Sequence, residues 1–389
     1  MEQSLPVVNK SKPNGVVYHD DFMNIDFSLI PTGGNATAHA PTLIETEDGG
    51  LLCAWFAGSF EGSGDISIAV SKLNPEKQIW EEPQIVSKGI NRSEQNPSFF
   101  RAPDNSIWLI YTSQKSRQEG KDNMQFTSII MRQKTYDEGK TWEEPEILFD
   151  DEGTFARQTI QILSNGRWIF GTWLCEDTPE GLTNDPTEFR ISDDQGKTWE
   201  KVRVPESKGR VHANVIELDD EGHLIAFMRS RFADNIYYSE SKDYGDSWTI
   251  PEKTVLPNNN ASISAIKLDT GEIALAYNLN AANNPEFGVV AWPGLRNPVA
   301  VSVSEDNGKT WPVGRIFEPA EGYIGRENKT NNRQYEYPFL YQDTKGFLHL
   351  VYAYRDRLCV KYVRFTVDEL FGEKRESQGV YNPTSGEGV

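Results

Sequence analysis

An eight-residue pattern, Ser-x-Asp-x-Gly-x-Thr-Trp, recurs along the chain and limits its fold more than any other feature. It stands complete at Ser192-Asp193-Asp194-Gln195-Gly196-Lys197-Thr198-Trp199 and at Ser304-Glu305-Asp306-Asn307-Gly308-Lys309-Thr310-Trp311. With one exchange each it returns at Ser241 to Trp248 and at Thr135 to Trp142. A degraded copy without the Asp and Gly runs from Ser71 to Trp80. The chemistry is that of a tight hairpin turn. The Asp carboxylate accepts from turn N–H groups, the Gly permits a positive φ, the hydroxyl ties the turn, and the Trp packs beneath it. These residues are therefore structural.

A second repeat alternates with the first: a polar turn followed by an apolar strand. The turns are Glu47 to Gly50, Pro103 to Asn105, Ser164 to Gly166, Asp219 to Gly222, Asp269 to Gly271 and Asp343 to Gly346. The strands after them begin at Leu51, Ile107, Trp168, Leu224, Ile273 and Phe347. Each turn also follows an apolar stretch, so each marks a hairpin of two inner strands. Six inner hairpins alternating with outer hairpins predict an all-β, six-bladed β-propeller with Asp-box hairpins, folded as one domain over 1–371. The last blade lacks an outer strand after Val360 to Phe365, and the stretch around Val16 to Phe27 is expected to supply it, so that the ring closes without free edges. Residues 372–389, rich in Gly, Ser and Glu, are expected to be a frayed tail.

Composition narrows the function. The formal net charge of −19 opposes a surface-wide basic patch, so no nucleic acid is expected as a partner. No run of 18 apolar residues suggests a membrane span. Met1 to Ser11 has no apolar h-region, and the cytoplasm is the expected location. Cys53, Cys175 and Cys359 have neither pairing nor metal spacing and read as reduced, buried residues. No metal or phosphate-loop motif is present, so neither a metal nor a cofactor is expected.

In a propeller the inner strands converge on one axis, and residues at their beginnings face one another. Those are His39, Glu94 with Gln95 and Asn96, Arg157 with Gln158, His212 with Asn214, Asn258 to Asn260, and Tyr337 with Glu336. Every blade places polar residues just before an apolar strand, which a purely structural strand would not need. Arg229 and Arg231 end the fourth inner pair, and Arg333 lies four residues before Tyr337.

Four near-complete Asp boxes on six hairpins resemble the sialidase (neuraminidase) superfamily, in particular bacterial BNR-repeat proteins, over residues 35 to 366. Asp boxes specify the architecture better than the chemistry. The resemblance implies an Arg on the first inner strand that joins a carboxylate-clamping triad; Ala38-His39-Ala40-Pro41 keeps the Pro and has His39 in place of that Arg. It implies a Glu at the start of the fourth inner strand, where His212 stands. It implies a Tyr nucleophile in the sixth blade, which Tyr337-Pro338-Phe339-Leu340 fits, and an acid in the first-blade loop, for which Glu61 and Asp65 are the candidates. The catalytic candidates are thus His39, His212, Tyr337, Glu61 and Asp65. Those for substrate binding are Arg157, Gln158, Asn96, Asn214, Asn259, Arg231 and Arg333.

Three functions remain open. The first is hydrolysis of a terminal acidic or related sugar, with Tyr337 as nucleophile and His212 as its base. The second is β-elimination on a uronate-containing glycan, with an Arg neutralising the carboxylate and His and Tyr moving protons. The third is a propeller that binds an oligosaccharide without cleaving it. All three make a glycan the partner; none bears on the oligomeric state.

Overall fold

The structure, a computed structural model, describes residues 12–87, 89–117, 124–282, 296–318, 334–371 and the backbone of 380–381. Its strands form six antiparallel sheets arranged as the blades of a propeller. Blade 1 runs from the inside outward as Thr37–Glu45, Leu51–Gly58, Ser67–Asn74 and Ile79–Trp80. Blade 2 follows with Arg92–Arg101, Ile107–Lys115, Ile129–Thr135 and Glu146–Phe149. Blade 3 has a broken innermost strand, Thr154–Ala156 and Gln161–Ile162, before Trp168–Leu174, Thr187–Ser192 and Glu200–Arg203. Blade 4 is Arg210–Glu217, Leu224–Ser230, Asn235–Ser241 and Glu252–Pro257. Blade 5 is Ser264–Lys267, Ile273–Asn278, Val299–Ser304 and Val313–Glu318.

Blade 6 consists of Glu336–Gln342, Leu348–Tyr354 and Cys359–Phe365, and its fourth strand is Ile25–Ile30 from the start of the chain, edged by Tyr18–Asp20. The register Asp26↔Arg364 to Ile30↔Val360 joins the two ends of the ring. An ion pair between Arg364 and Asp26 (2.5 Å) lies across it. Within the stretch expected to be frayed, Val380–Tyr381 pairs with the outer strand of blade 5; its neighbours on either side lie outside the described residues.

The Asp boxes connect third and fourth strands and are built as their residues require. In blade 5, Asp306 accepts from the Thr310 N–H (2.8 Å), the Thr310 hydroxyl (2.7 Å) and the Ser304 hydroxyl (2.8 Å). Gly308 turns the chain at φ 84°. The blade 1 copy, which lacks the Asp, has Asn74 Oδ1 accepting from the N–H groups of Glu76 and Lys77 instead. The Trp reaches further than the turn beneath it. Trp311 of blade 5 meets Phe227 of blade 4, and Trp248 of blade 4 stacks on Phe189 of blade 3 at 4.3 Å. Asp-box tryptophans thus anchor one blade on the next.

The innermost strands carry the feature that shapes the site. In four blades the pairing slips by one residue: between His39 and Thr42, Gln95 and Ser98, Val211 and Asn214, and Glu336 and Phe339. Two residues there oppose one on the partner strand, a β-bulge. The bulged residue adopts positive φ in every case: Ala40 (54°), Asn96 (50°), His212 (58°) and Tyr337 (54°). Asn260 (58°) does the same ahead of blade 5. A non-glycine residue held in this region costs roughly 1–3 kcal/mol, and such strain collects where a side chain must be aimed. Here it turns Asn96, His212 and Tyr337 into the axial mouth.

Candidate active site

A cavity of about 420 Å³ opens at the end of the propeller where the inner strands begin. Blade 6 contributes Tyr337 and, from the turn after its second strand, Arg357. Blade 4 contributes His212, Arg229 and Arg231, and blade 3 the aromatic pair Phe155 and Trp173. Glu61 and Arg117 stand at the rim, Asn96 on blade 2, and Arg296 just ahead of the third strand of blade 5. A larger hollow of about 750 Å³ lies at the other end of the inner strands, lined by Ile44, Phe99, Ile160 and Tyr341. Its one arginine, Arg101, is tied to Glu138. The smaller cavity is where reactive groups converge.

Arg229 organises that cavity. Its Nη1 donates to the Tyr337 phenol oxygen (2.6 Å) and lies 3.1 Å from His212 Nε2, and its Nε donates to Asn260 Oδ1 (2.8 Å). A guanidinium only donates, so His212 Nε2 is the acceptor and carries no proton. The other ring nitrogen then bears the hydrogen and donates to Ser262 Oγ (2.9 Å). Burial, reinforced by Arg229 and Arg231, holds the His212 imidazole well below its ordinary pKa, in keeping with that neutral form. Burial also lowers Arg229 to about 10, which leaves it charged near neutrality. Trp173 stacks on the His212 ring at 4.4 Å and Phe155 on Trp173 at 5.1 Å, a flat apolar wall beside the reactive trio.

On the opposite wall, Glu336 is a buried hub. Its Oε2 accepts from Arg357 Nε (2.8 Å) and lies 3.2 Å from both Arg296 Nη1 and His39 Nδ1. Arg357 Nη1 donates in turn to Glu61 (2.7 Å), whose side chain is 33% exposed. Burial would raise the Glu61 carboxyl, but Arg357, with Arg296 and Arg117, outweighs it and holds the group below its ordinary pKa, as a carboxylate. Arg231 is paired with buried Asp185 (2.7 Å). Among the described residues no three His, Cys, Asp or Glu side chains gather as metal ligands.

The structure brings Tyr337, His212, Glu61, Asn96 and Arg231 together in the cavity, with Gln95 and Arg229 beside them, and places the following sequence candidates elsewhere. His39 does not share the position of His212. It precedes the bulged residue, so Ala40 is the counterpart of His212, and the His39 ring turns back against Tyr337 (4.3 Å) and Phe56 (5.1 Å). Arg157 is buried behind the cavity and bonds the carbonyls of Pro41 (2.7 Å) and Pro97 (3.3 Å), fastening blade 3 to blades 1 and 2. Gln158 reaches across to the Ile263 carbonyl (2.9 Å). Asn214 is spent on the His212 carbonyl and the Ala265 N–H. Asn259 is fully buried and does not line the cavity. Asp65 is exposed; its bonds to the Ser59 N–H and hydroxyl staple the loop, and the Ser63 and Ser59 hydroxyls keep it below its ordinary pKa. Arg333 lies outside the described residues.

Residues 49–350 match the family model of the BNR repeat-like domain. The chain belongs to the BNR repeat-like family. Within this sialidase-like superfamily it is 24% identical over 307 residues to a sialidase of Bacteroides fragilis (strain YCH46), a match covering 71% of the chain and 54% of that relative. The chain thus spans little more than half the length of the curated relative it matches. Among solved structures it is similar to the Hadza microbial sialidase Hz136 (TM-score 0.68, 16% identity, 86% of this chain and 66% of that one). It is also similar to the intramolecular trans-sialidase from Ruminococcus gnavus in complex with oseltamivir carboxylate (TM-score 0.62, 16% identity, 87% and 97%). At such identities these structures share the fold.

Arg296, Arg357 and Arg117 were not reachable from the blade repeat, because they lie outside the inner-strand starts. The bulges did leave a trace. Ala40-Pro41, Asn96-Pro97 and Tyr337-Pro338 align when the residue before Pro is matched from blade to blade, which puts His39 one residue ahead of the bulge; blade 4 has Ala213 in place of the Pro, so the position of His212 is given only by the strand register.

The buried histidines make stability depend on pH. His39, His212 and His349 are all held below the ordinary value of about 6.5, burial being the largest cause in each. A depressed folded pKa means the unfolded chain binds more protons below about pH 6.5, so stability present above that pH is lost as pH falls. Exposed His19, raised by its Asp26 bond, acts in the opposite sense and weakly. The melting temperature is expected to drop between about pH 7.5 and about pH 5, and His39→Gln to flatten that drop. An unchanged profile in the variant would show that His39 is not buried as the neutral form.

Proposed function

We propose that this propeller cleaves the glycosidic bond of a terminal acidic sugar, with Tyr337 as the nucleophile. The observation that carries this reading is the Tyr337 phenol oxygen, placed at the axis and bonded to Arg229 Nη1 at 2.6 Å in a cavity lined by arginines. Charge developing on that oxygen as its proton leaves is countered by Arg229. Neutral His212 is the base beside it: its Nε2, which accepts from the same guanidinium, takes the phenol proton as that bond is given up, leaving Arg229 to the phenolate. Attack forms a bond from the phenol oxygen to the anomeric carbon as the bond to the leaving oxygen breaks. Glu61, once it has taken a proton from solvent, gives it to the leaving oxygen; as a carboxylate it then takes a proton from the water that attacks the anomeric carbon, and the sugar leaves Tyr337 with retention. The Phe155–Trp173 wall offers an apolar face to the ring.

One observation favours a second reading, β-elimination on a uronate. Glu61 is held as a carboxylate, whereas elimination needs only a base, an acid and a cation, which His212, Tyr337 and Arg229 provide. A single incubation separates the two. The protein is supplied with sialosides and with uronate-containing oligosaccharides, while free sugar and the ultraviolet absorbance of unsaturated uronate are followed together. Release of a saturated acidic sugar is the expected result. New absorbance would replace hydrolysis by elimination, and binding without either product would leave a glycan-binding propeller.

A further inference from the structure

The first inner strand lacks the arginine that the superfamily resemblance implies, since His39 stands at its position and points away from the cavity. Yet the site is not short of a cation on that side. Arg357 enters from the sixth blade, in the turn between Leu348–Tyr354 and Cys359–Phe365. Its backbone is fastened to the first strand: the Ala38 N–H, one residue before His39, donates to the Arg357 carbonyl at 2.7 Å. Three consecutive non-glycine residues of this turn, Arg355, Asp356 and Arg357, have φ of 50°, 58° and 66°. That is a costly arrangement for L-residues, and it sets the Arg357 guanidinium into the cavity.

Two carboxylates hold that guanidinium, and they differ in kind. Glu336 is buried and shared with Arg296 and His39, so it is a fixed part of the wall. Glu61 sits on the rim, is 33% exposed, and takes only Arg357 Nη1. We propose that Arg357 is a relocated carboxylate-binding residue, standing in for the missing first-strand arginine, and that Glu61 occupies its outward face until the substrate carboxylate displaces it. Glu336 is then a positioning residue that keeps Arg357 and Arg296 side by side. The exchange is one carboxylate for another on the same donor, so the buried guanidinium keeps its charge compensated while Glu61 moves to the solvent side. Displaced from Arg357, Glu61 can take up a proton from solvent and pass it to the leaving oxygen.

This inference rests on the proposed function, and calorimetric titration of the full chain separates the two. The probes are N-acetylneuraminate, glucuronate and the methyl ester of each. Arg357→Ala is expected to weaken binding of the free acids by about tenfold or more, with the esters unaffected. Arg357→Lys, which keeps the charge but not the fork, should fall between. Glu61→Gln, which removes the competing carboxylate, should tighten the acids several-fold. A merely structural Glu61–Arg357 brace predicts instead that Glu61→Gln weakens the acids or leaves them unchanged, and either result overturns the exchange. If Arg357→Ala does not fold, the Arg357→Lys and Glu61→Gln arms decide. Wild-type protein that discriminates no acid from its ester removes the acidic-sugar reading itself. Wild-type discrimination that survives Arg357→Ala removes only the role of Arg357.

Discussion

Tyr337→Phe is expected to lower turnover of an acidic glycoside by about a thousandfold or more while leaving the melting temperature unchanged. The two halves of this expectation come from different atoms of one side chain. The ring is structural: it packs against His39 at 4.3 Å, and the guanidinium of Arg296 lies 5.5 Å from its centre. Phenylalanine keeps those contacts. The oxygen is the reactive part, and its loss leaves Arg229 Nη1 with His212 Nε2, while Arg229 Nε keeps Asn260 Oδ1. The Nη1 hydrogen that met the phenol loses that acceptor but lies at the cavity, where water can replace it, so no large folding penalty arises. His39→Gln is the matched control. Its ring touches Tyr337 from behind but does not line the cavity, so turnover should change by less than about tenfold. Comparable losses in the two variants, or a Tyr337→Phe protein with most of its activity, would remove Tyr337 as nucleophile.

The contrast between those neighbours also shows how far the sequence could be read. Asp boxes and inner-hairpin turns are local: their residues bond within a few positions of one another, as Thr310 does to Asp306. Blade count and ring closure follow directly from them. The site depends on contacts that no spacing encodes. Arg357 meets Glu61 across 296 residues, and Arg229 meets Tyr337 across 108. Between these extremes lies the one-residue bulge. Because side chains alternate along a strand, a one-residue error in alignment exchanges an axial residue for a buried one. Taking His39 and His212 as equivalent strand starts is such an error. Aligning on Pro41, Pro97 and Pro338 matches Ala40 with Asn96 and Tyr337, and the strand register of blade 4 adds His212 to that set, which sends His39 behind the wall.

The four Asp-box tryptophans provide a stability series in which one motif sits in four degrees of burial. Trp311 and Trp248 are 0% and 7% exposed, whereas Trp142 and Trp199 are only half-buried. Hydrogen bonding is distributed differently. Trp199 and Trp248 donate from Nε1 to the Gly196 and Gly245 carbonyls at 3.1 and 3.0 Å, while Trp142 and Trp311 have no partner on that nitrogen among the described residues. Truncating a buried tryptophan removes roughly 3–5 kcal/mol through lost burial and the cavity left behind. A neutral hydrogen bond contributes only about 1 kcal/mol. Burial should therefore rank the series. Trp311→Ala and Trp248→Ala are expected to cost about 3–5 kcal/mol, and Trp142→Ala and Trp199→Ala about half as much, measured by denaturant unfolding at constant slope. Trp311 is the discriminating member, being fully buried and unbonded. If Trp311→Ala proves milder than Trp199→Ala, the tryptophan acts by closing its own turn. If it proves the costlier, as expected, the Asp box stabilises the propeller by fastening blade 5 onto Phe227 of blade 4, and the cavity at the axis inherits its rigidity from those joints.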